Sequence, residues 1–115
     1  MQLSEFPQHI ADKQLTVLNQ EQKVRKLKDI LQTFDREIEC AVAFDAELKN
    51  ESQRKSRKAE LQADEEYQGT LLELQHAQDA LVKLQIEAEL LRSQFSVAKL
   101  EFRLSLAQLE TSIAA

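Results

Sequence analysis

The sequence predicts an all-α protein: a long antiparallel coiled-coil helical hairpin that pairs with a second copy into a four-helix bundle. Three observations carry that reading. From Leu74 to Leu109, positions spaced alternately three and four apart (Leu74, Ala77, Leu81, Leu84, Ala88, Leu91, Phe95, Ala98, Phe102, Ser105, Leu109) are apolar except Ser105, which is the heptad seam of a helix buried against another helix. One Gly and one Pro in 115 residues leave little material for tight turns, while Leu, Ala, Glu, Gln and Lys abound and favour helix. Between Lys49 and Glu60 the large apolar side chains vanish, dividing the chain into two apolar seams.

Residues 1–18 carry Leu3, Phe6, Ile10, Leu15, Val17 and Leu18 and read as an amphipathic arm or a helix start. Pro7 suits a first helical turn, where its missing N–H would be unpaired anyway. Asn19 followed by Gln22 resembles a capping box from which a fresh helix starts, and the alternative is that one helix runs through. The hairpin proper is expected over 19–115, with helix 1 at about 19–50, a polar tip at about 50–58 and helix 2 at about 59–113. Its first seam is Val24, Leu27, Leu31, Phe34, Ile38, Ala41, Asp45 and Leu48, with Phe44 expected to point inward beside Asp45.

Continued by heptads past Leu48, this line arrives at Glu73, one residue short of the Leu74 seam. One straight coiled coil would need a skip residue to reconcile the two, whereas a chain reversal needs none. Reversal within 50–58 sets Leu31 near Leu81, Leu27 near Leu84, Val24 near Ala88, Val17 near Phe95 and Ile10 near Phe102. The rival turn uses Gly69 as a helix C-cap with Thr70 and Glu73 as a capping box. That turn would place Ser52 and Lys55 opposite Leu81 and Leu84. It would forfeit roughly 1.5–3 kcal/mol per large side chain for caps worth about 1 kcal/mol. The tip at 50–58 is preferred, with Gly69 as a kink.

Helix 2 carries a second line on its opposite side, at heptad positions c and f: Leu72, His76, Asp79, Val82 or Lys83, Ile86, Leu90, Ser93, Val97, Leu100 and Leu104, largely apolar in its carboxyl half. A two-helix hairpin covers one face of this helix, so the second line is the expected oligomer or partner interface, with a homodimer as the first expectation and a protein partner as the second.

Fifteen basic and twenty acidic residues, net −5, are interspersed along the chain, giving no general attraction for nucleic acid or an anionic membrane. The basic group Lys49, Arg54, Lys55, Arg57 and Lys58 at the expected tip is the local candidate for contacting a polyanion. It lacks aromatic interleaving and any nucleic-acid motif, and reads first as a solvated connection. The single Cys40 permits no intrachain disulfide and fits a reducing compartment. No apolar run reaches the length of a membrane span, and the amino terminus lacks the pattern of a secretory signal. The expectation is a cytoplasmic protein without a membrane anchor.

Two patterns carry chemistry. Glu73 and His76 form E-x-x-H, one turn apart on a helix as in di-iron carboxylate proteins. On a short antiparallel hairpin this resembles the encapsulated ferritins. The resemblance implies a metal site at a dimer interface, completed by a carboxylate such as Glu37, Glu39 or Glu47, and the competing reading is a surface Glu and a His edging an interface. Tyr67-Gln68-Gly69 resembles the W-x-G turn of small hairpins exported by type VII secretion, with Tyr in place of Trp. Cys40 has no nearby His, and so few aromatics and loops offer little for a substrate pocket. The leading expectation is a non-enzymatic interaction module (an adaptor, scaffold or assembly protein) without cofactor or bound metal.

Overall fold

The computed structural model describes residues 1–114, and Ala115, the last residue of the expected hairpin, lies outside the described residues. The described chain is all-α: a short 3-10 turn at Leu3–Glu5, then α1 (Phe6–Ala43), α2 (Glu51–Gln62) and α3 (Glu65–Ala114), with no strand among the described residues. No helix among them is long and apolar enough to cross a membrane.

Phe6 opens α1 and Pro7 follows in its first turn, where a missing N–H costs nothing. Ahead of it, the Gln2 backbone N–H donates to Glu5 Oε2 at 3.4 Å, half of a reciprocal cap on the 3-10 turn. The helix runs unbroken through Asn19 and Gln22, so the continuous reading of this stretch describes the chain. It stops at Ala43, earlier than the expected end near residue 50. Asp45 ends it chemically: its Oδ1 accepts the Glu47 backbone N–H at 3.0 Å, the local bond by which Asp competes with helix. Phe44, expected inward, is 85% exposed because it stands past the last helical turn.

The polar stretch expected as a tip is a helix of its own. Asn50 caps α2, its Oδ1 accepting the Gln53 backbone N–H at 2.8 Å while Gln53 Oε1 accepts from Lys49 N at 2.7 Å. This reciprocal arrangement supplies two acceptors to otherwise unpaired donors. After Gln62 the helix breaks over two residues, and Asp64 Oδ2 takes the Glu66 N–H at 3.2 Å as α3 begins. Glu65 and Glu66 in its first turn complement the helix dipole. The break stands at 63–64, and Gly69, the expected kink, lies inside α3 without positive φ.

Two compact units divide the chain. In the first, Met1–Asn19 packs with the chain from Leu81 onward. The Phe6 ring stacks on Phe95 with centroids 5.3 Å apart, and Lys13 Nζ reaches Glu87 Oε2 at 3.0 Å. Ascending residues on α1 meet descending ones on α3, so the two helices run antiparallel there. The second unit, Gln20–Ala80, is also antiparallel. Gln20 Nε2 donates to the Ala77 carbonyl at 2.9 Å, and Tyr67 Oη donates to Asp35 Oδ1 at 2.9 Å. Val24, Leu27, Leu31 and Ile38 are buried on one side, Leu74 and Ala77 on the other.

The pairing register differs from the expected one. The heptad seams pair Phe95 with Val17, whereas its ring stacks on Phe6, eleven residues earlier. Eleven residues complete three helical turns, so such a slide presents the same face of α1. Apolar periodicity therefore does not distinguish the two registers. The early end of α1 does, because it moves the reversal back from 50–58 to 44–50.

Candidate functional site

α3 separates its two apolar lines by burial. Along the inner line Leu74, Ala77 and Ala88 are buried, and Leu81, Leu84, Leu91, Phe95 and Ala98 are partly covered. From Phe102 onward every inner-line residue is exposed. Phe95 already meets the first turn of α1, so no α1 residue stands opposite these last turns.

The outer line is open along its whole length. Leu72, His76, Val82, Ile86, Leu90, Val97, Leu100 and Leu104 are all exposed, Ile86 at 63% and Leu100 at 61%. Between Ile86 and Leu104 the line is interrupted only by Ser93. Its position at c and f keeps it away from α1, which occupies the a and d side. Phe102, Leu106, Leu109 and Ile113 add exposed apolar surface beyond Ala98.

Comparison with protein-family models, curated proteins and solved structures finds no match to this chain. What the surface does must be argued from its own chemistry.

The basic candidates sit at the start of α2 and along it. Arg57 Nη1 lies 3.0 Å from Glu60 Oε2, Arg54 is 3.9 Å from Glu51, and Lys58 is 4.0 Å from Glu39 on α1. Three of the five cations named for the tip thus stand beside carboxylates, which weakens the patch as a polyanion contact; Lys49 and Lys55 are exposed. Glu73 and His76 are exposed on α3, and no group of three or more metal-ligating side chains occurs among the described residues. Glu39, one of the proposed extra carboxylates, is engaged with Lys58. Tyr67, Gln68 and Gly69 are helical and form no turn.

One feature escaped the sequence reading. Beside the break before α3, a cleft of about 420 Å³ is lined by the apolar Phe34, Ile38, Leu61 and Ala63, by Tyr67, and by the four carboxylates of Glu37, Glu60, Asp64 and Glu66. Asp35 also accepts from Gln62 Nε2 at 3.5 Å, so one carboxylate draws α2 and α3 to α1. The phenol of Tyr67 is held above its ordinary 10.0. Burial disfavours the phenolate, and the Asp35 carboxylate both accepts a hydrogen bond from the neutral phenol and repels the charge that would replace it, with a hydrogen bond to Gln62 acting the other way. The cleft lining contains no Ser, Cys, His or Lys. The signal for this corner was the lone Tyr one heptad before Leu74, since a half-buried phenol needs a polar partner.

Proposed function

We propose that this chain is a non-enzymatic coiled-coil interaction module. Its α1 and α3 pair as an antiparallel hairpin, and the outer line of α3 joins two such hairpins into a four-helix bundle that serves as an adaptor, scaffold or assembly element. The observation that carries this reading is the aliphatic run Ile86, Leu90, Val97, Leu100 and Leu104, exposed on a helix whose other face is covered as far as Ala98. Contiguous exposed apolar surface of this kind marks an interaction site in proteins free in water. The interspersed charges on the remaining faces are what a solvated bundle surface requires. A single exposed Cys40 and the absence of a membrane-spanning helix among the described residues fit a cytoplasmic setting.

Light scattering on the eluting protein at micromolar concentration tests the proposal. A mass of twice 13.2 kDa supports it. A clean monomer overturns self-association and leaves the line to a different protein.

A further inference from the structure

We infer that the chain covering the outer line is a second copy lying antiparallel to the first, with the two-fold axis passing between Ser93 and Val97. This rests on the outer line being the self-association face.

The inference comes from laying the line on itself. In this alignment Ile86 meets the second copy's Leu104, Leu90 meets its Leu100, and Ser93 meets its Val97, each layer occurring twice about the axis. Four of the six layers then join two large aliphatic side chains, and the small Ser93 stands at the centre, where two helices approach most closely. The neighbouring alignments are worse. A slide of one heptad in one direction sets Lys83 against Leu100 and Asp79 against Leu104. The opposite slide sets Ile86 against Thr111 and brings Glu89 beside Glu110. A parallel pair in register would stack Lys83 on Lys83 and Asp79 on Asp79, like charges that destabilise a seam.

The flanking charges select the same alignment. In an antiparallel pair, residues beside the seam meet their counterparts on the same flank of the other helix. On the b flank this puts Glu89 beside the second copy's Arg103, twice per dimer. Glu89 is exposed and held only by Arg92 at 4.0 Å on its own helix, and Arg103 is exposed as well. On the g flank Glu87 approaches the second copy's Glu101, but the Lys13 ammonium 3.0 Å from Glu87 offsets that repulsion.

Cross-linking decides the matter. In a Cys40→Ser background, Glu89→Cys and Arg103→Cys chains are treated with a short bis-maleimide, separately and mixed. The antiparallel alignment places like positions about 21 Å apart along the axis, fourteen residues at 1.5 Å each, so only the mixture gives cross-linked dimer. Cross-linking of either variant alone, or of neither alone nor mixed, overturns the orientation while a dimeric mass leaves the interaction module standing. A monomeric parent protein overturns the module itself. As a second readout, Glu89→Arg or Arg103→Glu alone weakens the dimer about tenfold, and the double reversal restores it. Failure of the double variant to recover, with helical content unchanged, also counts against the pairing.

Discussion

The ring of Phe6 stacks on that of Phe95, 5.3 Å away between centroids and 18° from parallel. Phe6 is 5% exposed, the only large side chain of the first turn of α1 that is buried. Phe6→Ala removes this anchor and is expected to cost about 3 kcal/mol, the lower end for a buried Phe, because Phe95 remains partly open to water. The loss should be local before it is global. Hydrogen exchange is expected to show protection falling first in residues 6–19, and uniform loss along α1 would refute that order.

Tyr67 and Asp35 give a second, independent test in the other unit. Tyr67→Phe deletes the 2.9 Å bond and is expected to lower stability by about 1 kcal/mol in urea denaturation. The pH dependence has a definite sign. A phenol held above 10.0 binds its proton more tightly in the folded chain than in the unfolded one. Its contribution is therefore complete below pH 10 and fades as pH rises through the higher folded value. Tyr67 is the sole tyrosine and the chain has no Trp, so tyrosinate absorbance follows this one group. Titration at or below the ordinary value would contradict the arrangement.

Gly69 sits within α3 in helical conformation, and a Cβ added there meets nothing within 4 Å. Gly69→Ala should stabilise the protein by about 0.5–1 kcal/mol through helix propensity alone. A thermal midpoint that falls would show that this position bends or opens in solution.

Leu74 and Leu100 lie on the inner and outer lines of one helix, 8% and 61% exposed. Leu74→Asp buries an unpaired carboxylate and should abolish cooperative unfolding. Leu100→Asp leaves the charge in water, so helical circular dichroism should persist while the light-scattering mass halves. If both variants merely dissociated, the division of α3 into an inner and an outer face would be wrong.

The helical character was legible because it rests on periodicity and on the scarcity of Gly and Pro, both visible without coordinates. The inner line from Leu74 to Ala98 was legible for the same reason, as was the buried set Val24, Leu27, Leu31 and Ile38. The place of the reversal was not. Absence of apolar residues at 49–58 looks alike whether the backbone is a loop or an exposed helix, and the capping pair Asn50 and Gln53 decides between them. Heptad spacing puts Asp45 on the seam, whereas its side chain turns back on the Glu47 amide. The register was undetermined because an eleven-residue slide preserves a helix face. The Asp35, Gln62 and Tyr67 cluster joins residues distant in sequence, and nothing in their spacing announces it.

The uncovered turns of α3 beyond Ala98 bear on how the helix forms. A segment of that length is too short to nucleate and hold helix by itself in water, since nucleation is costly and each added residue gains little. In a single copy its order must be propagated from the part that α1 clamps, as the end of a zipper is held by the teeth already closed. In the dissociated Leu100→Asp chain, helical content there should melt inward from the carboxyl end on gentle warming, well before the clamped part responds.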